Sequence, residues 1–301
     1  MITPPYLNTG DLIGLVSPAS RIDDSAISTA TALIKRMGYR VKTGKHAFDQ
    51  HFQFAGTDQV RAADFQAMLD DPEVKMILCT RGGYGMVRII DQLDFSRFLE
   101  NPKWIAGYSD ITIIHNHLTT LFGIESIHGI MPYNFPECGA VCSAIDRLFQ
   151  VAGGKKPAYR LPAHEFNVSG MAEGVLVGGN ISIITSLFGS VSELQTEGRI
   201  LFLEEVGERL YRLDRMMHTL KRSGKLNGLA GLIIGGLTEM IDSTEGFGLT
   251  ADEIVKDAIG EVNYPVCFGF PAGHITDNYP LIIGREVHLE VGEQSAKIDF
   301  R

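Results

Sequence analysis

Residues 104–111 read Trp104-Ile105-Ala106-Gly107-Tyr108-Ser109-Asp110-Ile111, an apolar run followed by a short turn. The apolar run predicts a buried strand, and residues 111–121 after the turn predict a helix. A serine at such a turn exposes its hydroxyl, and the helix N-terminus behind it offers free N–H groups to a developing negative charge. An ordinary turn with an aspartate near the N-cap explains the same residues, so the rest of the chain must decide whether Ser109 is a nucleophile.

The first half of the chain alternates strand-like and helix-like segments, which predicts βαβ units and a parallel sheet. Ligands of such sheets bind beyond the carboxyl ends of the strands, where the serine turn lies. The predicted strands are 12–16, 39–42, 76–80 and 104–106, and the predicted helices are 25–37, 59–69, 86–93 and 111–121.

The character of the sequence changes near residue 151, where a turn-rich, polar segment begins. We therefore predict a first domain at 1–150, a linker at 151–168 and a second α/β domain at 169–301. The predicted strands of the second domain are 174–177, 199–203, 229–234 and 287–291, and its predicted helices are 180–188, 211–223 and 251–259.

Composition limits the classes of function. The 301 residues include 45% hydrophobic and 21% charged residues, as in globular proteins. No apolar run reaches the roughly 18 residues needed to span a bilayer, and the N-terminus does not resemble a signal peptide, so we expect a cytoplasmic protein without membrane partners. The net charge of −9, without a basic cluster, makes nucleic acid an improbable partner.

Neither the cysteines nor the histidines predict a metal site. His115 and His117 lie two residues apart in a predicted helix and would point to different faces, although His128 and Asp110 are close in sequence. The four cysteines lack zinc-site spacing, and a disulfide is not expected in the cytoplasm; they are Cys79, Cys138, Cys142 and Cys267.

A glycine-rich turn, residues 81–85, follows the predicted strand 76–80. A dinucleotide site would need a third glycine where Arg88 stands, which argues against a nicotinamide-dependent oxidoreductase. Glycines also let a backbone approach a substrate closely and present an N–H to an oxyanion, whereas a tight turn alone would equally use them.

A nucleophilic serine needs a base, and the base needs an orienting acid. The predicted strand 199–203 ends in Glu204 and Glu205, and His274 follows a turn-rich segment, although each also fits an ordinary surface position. The order serine, glutamate, histidine also occurs in α/β-hydrolases. Ile111, however, stands where their G-x-S-x-G elbow requires glycine.

Motifs along nearly the whole chain resemble those of the L,D-carboxypeptidases, a family of serine peptidases. A departure is Ile130, where the family often has proline. The motifs that carry the resemblance are residues 10–20, 54–58 with Arg61, Ala62 and Asp64, then 80–85, 107–110, 128–129, 178–182, 202–208, 211–215 and 269–274.

The resemblance implies a Rossmann-like, amidotransferase-like first domain with a parallel sheet and a smaller, β-rich α/β second domain. It also implies a catalytic triad of Ser109, His274 and Glu204. The choice of Glu204 over Glu205 rests on the family's Leu-Glu-Asp pattern, because both positions here are glutamate.

The function implied by the resemblance is removal of terminal D-Ala from a peptidoglycan-derived muramoyl tetrapeptide, without metal or organic cofactor. The backbone N–H groups of Asp110 and Gly83 would hold the oxyanion. Arg81 would bind the substrate carboxylate, although a structural ion pair is an alternative. Homodimers are a family expectation. Two other readings remain: a microcin-immunity-type peptidase that cleaves aminoacyl-nucleotide conjugates, and a non-catalytic binding module.

Overall fold

The chain forms two compact units in a computed structural model that describes all 301 residues. The first contains residues 1–155 and 279–281, and the second contains 156–278 and 282–301. The segment predicted as a linker, 151–168, differs from this division. Its first two residues end a helix, and Ala158–Pro162 forms a strand of the second unit's sheet.

The first sheet has six strands, and five of them run parallel in the order β2, β1, β3, β4, β5, with β11 beside β5. Strands β1 and β4 are fully buried apolar runs, as expected for a sheet covered on both faces. The strands are β1 (Leu12–Val16), β2 (Arg40–Thr43), β3 (Val74–Cys79), β4 (Trp104–Gly107), β5 (Ser126–His128) and β11 (Leu281–Ile283).

Helices connect these strands. The first of them buries Ile27, Leu33 and Ile34 on one face, which matches a helical period of apolar residues. The helices are α1 (Asp24–Arg36), α2 (Asp58–Asp70), α3 (Ser96–Glu100), α4 (Thr112–His117) and α5 (Ser143–Ala152).

The side chain of the buried Lys103 caps the C-terminal end of helix α2. Its Nζ donates hydrogen bonds to the carbonyls of Met68 at 3.0 Å, Leu69 at 2.9 Å and Asp71 at 2.5 Å. These carbonyls have no partner within the helix, so the ammonium satisfies them. Burial lowers the pKa of Lys103 to about 8.

Two predicted helices differ from the structure. Residues 86–93 form two 3₁₀ turns, Met86–Arg88 and Ile90–Gln92, in place of one α-helix. Residues 111–121 fall across a 3₁₀ turn, helix α4 and a π-helical turn at Leu118–Phe122.

The second sheet has seven strands in the order β10, β9, β8, β7, β12, β13, β6. Strands β10 to β7 pair in parallel, whereas β7, β12, β13 and β6 pair antiparallel. The strands are β6 (Ala158–Pro162), β7 (Gly170–Asn180), β8 (Ile200–Val206), β9 (Gly231–Thr238), β10 (Val266–Cys267), β12 (Glu286–Val291) and β13 (Ser295–Phe300).

Three helices pack with the parallel part of this sheet around one apolar core, which includes Leu201, Leu203 and Ile234. They are α6 (Ile181–Ser186), α7 (Leu210–Arg222) and α8 (Ala251–Ile259). The predicted class, α/β with a parallel first sheet and a β-rich second unit, is confirmed. Every helix is too short or too polar to cross a membrane.

We expect Gly178→Ala to destabilise the second unit, because Gly178 has φ +125° and a Cβ there would lie 2.9 Å from the carbonyl carbon of Phe202 on β8. Positive φ and this collision together should lower the free energy of unfolding by about 2–4 kcal/mol. Urea denaturation measures the change. Gly198→Ala, at φ +67° with no atom within 4 Å, is the matched control and should lose less. Equal losses would contradict the role of the collision.

Candidate active site

Ser109 lies two residues after the end of β4 and has a strained backbone. Its φ is +64°, and only two other non-glycine residues have positive φ. The residue opens the 3₁₀ turn Ser109–Ile111, which leads into α4. Non-glycine residues hold such conformations mainly at functional sites, and nucleophilic serines use them to project the hydroxyl from a strand-to-helix turn.

The glycine-rich loop packs against this serine. A Cβ on Gly82 would lie 2.8 Å from the Cβ of Ser109 and 3.1 Å from its Oγ. Only glycine permits this approach without displacing the serine. The backbone of the loop therefore lies beside the serine hydroxyl, as an oxyanion-binding segment requires.

The loop is fixed by the turn after β1. Ser20 donates its N–H to the carbonyl of Gly82 at 3.1 Å, and its hydroxyl accepts the N–H of Tyr84 at 3.2 Å. Between them, Gly83 has φ +91°, and a side chain there would collide with the Ser20 hydroxyl. The Gly83 peptide is thus held between two hydrogen-bonded neighbours.

Asp110 joins the serine turn, residues 107–111, to the same loop. Its carboxylate is fully buried and accepts the N–H of Met86 at 2.7 Å. Burial raises the pKa of Asp110 to about 6, although the Met86 bond and the positive charge of Arg61 oppose the shift.

Arg81 forms no ion pair in the structure, and its guanidinium makes two other contacts. One guanidinium nitrogen donates to the carbonyl of Arg21 at 2.7 Å, and the group lies 4.2 Å from the ring centroid of Tyr133. Neither partner neutralises its charge. Tyr133 also lines a cavity of about 520 Å³ in the first unit, together with Asp23 and Glu137.

In the second unit, Glu204 and His274 form a hydrogen-bonded pair. Glu204 is completely buried near the end of β8, and its Oε2 lies 2.7 Å from Nδ1 of His274. The other carboxylate oxygen, Oε1, has no hydrogen-bond partner. A buried carboxylate bound to one imidazole nitrogen fixes the ring's orientation and tautomer.

An irregularity in the sheet makes room for this pair. The β8–β9 register shifts at Glu204, where two residues of β9, Gly235 and Gly236, oppose one residue of β8. Such a bulge bends the strand locally. The N–H of Gly236 then binds the carbonyl of Ala272 at 2.9 Å, which brings the histidine loop to the end of the sheet.

The loop before His274 approaches the carboxylate as closely as a backbone can. A Cβ on Gly273, at φ +107°, would lie 2.6 Å from Oε2 of Glu204. The hydroxyl of Thr238 donates to the carbonyl of His274 at 3.0 Å, and Asn278 accepts the N–H of Gly273 at 2.9 Å. The histidine is therefore positioned from both sides.

The charge of Glu204 controls the imidazole. Burial works to lower the pKa of His274, but the hydrogen bond and negative charge of Glu204 outweigh burial, with smaller contributions from Glu205 and Glu239, and the pKa is raised. The pair thus favours a proton on the imidazole, which is what a general base must hold after it accepts one.

Glu205 makes different contacts. Its carboxylate accepts from Nδ2 of Asn180 at 2.8 Å and from the N–H groups of Ser182 at 2.7 Å and Val206 at 3.0 Å. Burial raises the pKa of Glu205 to about 7. These bonds fix the backbone around β7 and β8, whereas the histidine is bound by Glu204.

The histidines weighed as metal ligands do not assemble with other ligands: no group of three His, Cys, Asp or Glu residues is placed to hold a metal ion. His115 instead bonds to the Ser126 hydroxyl at 2.8 Å and, through Nε2, to the carbonyl of Gly107 at 2.9 Å. Burial lowers the pKa of His115 to about 4, so the ring is neutral, and its bond to Gly107 supports the serine turn.

The predicted site residues therefore fall into two groups, one in each unit. The first unit brings together Ser109, Asp110 and the glycine-rich loop, and the second brings together Glu204 and His274. Comparison with known proteins assigns the parts of the chain that carry these two groups to one family. The LD-carboxypeptidase N-terminal domain matches residues 13–129, and the LD-carboxypeptidase C-terminal domain matches residues 173–289.

The chain belongs to the LD-carboxypeptidase family. It is 35% identical over 300 residues to a protein of Bacillus subtilis (strain 168) named probable murein peptide carboxypeptidase, covering 98% of this chain and 94% of that protein. It is 24% identical to the microcin C7 self-immunity protein of Escherichia coli, covering 97% of this chain and 94% of that protein.

Solved structures give the same assignment of fold. The crystal structure of muramoyltetrapeptide carboxypeptidase from Oxalobacter formigenes superimposes with a TM-score of 0.88 at 26% sequence identity, covering 96% of this chain and 98% of that chain. The family resemblance stated from sequence motifs is thereby confirmed.

Sequence reasoning missed several residues that shape the site. Gly235 and Gly236 interrupt a strand-like run, a pattern that often marks a bulge, and were passed over. Gly273 was seen only as part of a turn-rich segment. No local pattern indicates that its Cα must contact a carboxylate 69 positions earlier, at Glu204.

The contacts predict which glutamate controls His274. In Glu204→Gln the hydrogen-bonded charge is lost and burial dominates, so the pKa of His274 should fall below that of the unsubstituted protein. In Glu205→Gln, which removes only a more distant charge, the pKa should fall less. Titration of the imidazole resonances by NMR measures both. A larger fall in Glu205→Gln would contradict the assignment.

Proposed function

We propose that this LD-carboxypeptidase is a serine peptidase that releases terminal D-Ala from muramoyl tetrapeptides derived from peptidoglycan. Family membership and the names of the Bacillus subtilis and Oxalobacter formigenes relatives support the substrate class. The observation that carries the reaction type is the 2.7 Å hydrogen bond between His274 and the buried Glu204. An oriented histidine of raised pKa is the base that an activated serine requires.

The proposed nucleophile is Ser109, with His274 as base and Glu204 as the orienting acid. His274 takes the hydroxyl proton as Ser109 Oγ attacks the carbonyl carbon before D-Ala. The N–H groups of Asp110 and Gly83 hold the oxyanion. When the intermediate collapses, His274 returns the proton to the departing amine, leaving an acyl-enzyme on Ser109.

Water completes the cycle. His274 accepts a proton from water as the water oxygen attacks the acyl ester, and returns that proton to Ser109 Oγ when the ester bond breaks and the shortened peptide leaves. The residues supply a nucleophile, a base and oxyanion donors, so the proposed reaction needs no metal or organic cofactor.

We also propose that Arg81 binds the terminal carboxylate of the substrate. A guanidinium matches a carboxylate in a bidentate pair, and the charge of Arg81 is not neutralised by its two partners.

The setting proposed for the enzyme is the cytoplasm, as a homodimer, with neither nucleic acid nor membrane as partner. The net charge of −9 disfavours binding to nucleic acid. Sedimentation velocity would test the dimer, since the chain mass is 33.0 kDa. A single species near that mass at micromolar concentration would contradict it.

Activity of serine and histidine variants tests the reaction. Ser109→Ala and His274→Ala should each lower kcat for D-Ala release by about 10⁴-fold or more, and the double variant should lose little beyond either one, because the members of a triad act as a unit. Circular dichroism checks that each variant folds. Retained activity in Ser109→Ala would overturn the nucleophile. If the unsubstituted protein itself releases no D-Ala, the non-catalytic binding module is favoured instead.

The likeness to the microcin C7 self-immunity protein supports a second candidate, cleavage of an aminoacyl-nucleotide conjugate by the same residues. We expect kcat/KM for a muramoyl tetrapeptide to exceed that for an aspartyl sulfamoyl adenosine by at least about 100-fold, since each factor of ten requires only ~1.4 kcal/mol of differential transition-state binding. Chromatography of both reactions measures the ratio. The reverse preference would establish the second candidate instead.

A further inference from the structure

Beneath the glycine-rich loop lies a buried cation to which the proposed reaction gives no role. Arg61 on helix α2 is only 1% exposed. Its Nη1 donates to the carbonyl of Gly85 at 3.0 Å and also to the carbonyl of Pro18. One guanidinium thus ties the glycine-rich loop to the turn after β1, which itself binds that loop through Ser20.

The loop has a second buried anchor on its other side. Asp110, the residue after the proposed nucleophile, accepts the N–H of Met86, the residue after Gly85. The carbonyl of Gly85 and the N–H of Met86 belong to one peptide group. Arg61 therefore binds the oxygen of this peptide, and Asp110 binds its N–H. That peptide lies two residues beyond Gly83.

We propose that Arg61 is a positioning residue that fixes the glycine-rich loop so that the N–H of Gly83 faces the oxyanion formed at Ser109. This inference rests on the proposed function, in which Ser109 is the nucleophile. Arg61 acts through the loop and does not touch the substrate.

The local sequence is adapted to this contact. A Cβ on Gly85 would lie 2.7 Å from Nη1 of Arg61 and 3.0 Å from the Cα of Ala19, so only glycine lets the loop reach the guanidinium. Asp58, one turn earlier on α2, binds Nη2 of Arg61 and supplies the compensating charge. Asp58 also accepts a hydrogen bond from Nη2 of Arg88, three residues after Gly85, at 2.6 Å.

Stability alone does not explain this arrangement. The Nε of Arg61 is buried without a hydrogen-bond partner, and burial lowers the pKa of its guanidinium. A buried ion pair is often replaceable by well-packed apolar residues without loss of stability. What apolar residues cannot supply is a directed donor that sets the position of the Gly85 carbonyl.

The experiment compares kcat and KM for D-Ala release in Arg61→Gln and Arg61→Lys with the unsubstituted protein. Because an oxyanion donor acts in the transition state and a displacement of about 1 Å can lower a rate by about 10²-fold, Arg61→Gln should lower kcat about 10- to 100-fold. KM should change less than about threefold. Arg61→Lys, whose ammonium can still donate to a carbonyl, should fall between the two.

The control is Lys103→Met, which removes another buried cation that donates to backbone carbonyls at the opposite end of α2. Urea unfolding should show that Lys103→Met and Arg61→Gln are both destabilised. The kcat of Lys103→Met should nevertheless stay within about twofold of the unsubstituted value, because the loop of residues 81–85 is not anchored by Lys103.

A kcat for Arg61→Gln no lower than that of Lys103→Met, or a rise in KM alone, would overturn the positioning role. If Arg61→Gln does not fold, Arg61→Lys decides by the same criterion. The two proposals fail differently. An inactive Ser109→Ala beside a fully active Arg61→Gln rejects only the role of Arg61, whereas an active Ser109→Ala rejects the proposed reaction itself.

Discussion

The close contact between Gly82 and Ser109 is the constraint on which the first unit's site depends. Ser109 is held at φ +64°, a conformation that disfavours any side chain, and Gly82 packs where a Cβ would be 2.8 Å from that of the serine. A strained residue persists only when its surroundings determine its geometry. Here the surroundings are the end of strand β4, the buried carboxylate of Asp110 and a loop with hydrogen bonds at Gly82 and Tyr84.

In the second unit the main constraint is the burial of the Glu204 carboxylate away from solvent. Glu204 is fully buried with one oxygen unbonded, so its bond to His274 is its main compensation. Burying a charge is unfavourable unless a partner is held at bonding distance. The glycines of this region allow the histidine to reach bonding distance. Gly235 and Gly236 form the bulge, and Gly273 has no side chain that would collide with the Glu204 carboxylate.

Local sequence patterns predicted the parts of this molecule that depend on local interactions. The alternation of strands and helices in the first half predicted the parallel sheet, and the strand ending in two glutamates was found as β8. Strand β6 was taken for a linker because its partner, β13, comes more than 130 residues later. Residue type could not separate Glu204 from Glu205, since their roles depend on which contacts His274 and which accepts N–H groups from Ser182 and Val206.

The two units share one feature: Ser109 and Glu204 are each followed by a buried carboxyl that accepts hydrogen bonds from the backbone. Burial raises the pKa of Asp110 from 3.8 to about 6 and that of Glu205 from 4.5 to about 7. Each carboxyl therefore binds its proton more tightly in the folded state than in the unfolded chain. Stability contributed by these groups is greatest below the ordinary values and is lost as pH rises through about 4 to 7. Asp110 and Glu205 therefore weaken the fold at neutral pH. Their presence is best explained by the hydrogen bonds with which they fix the backbone near Ser109 and Glu204.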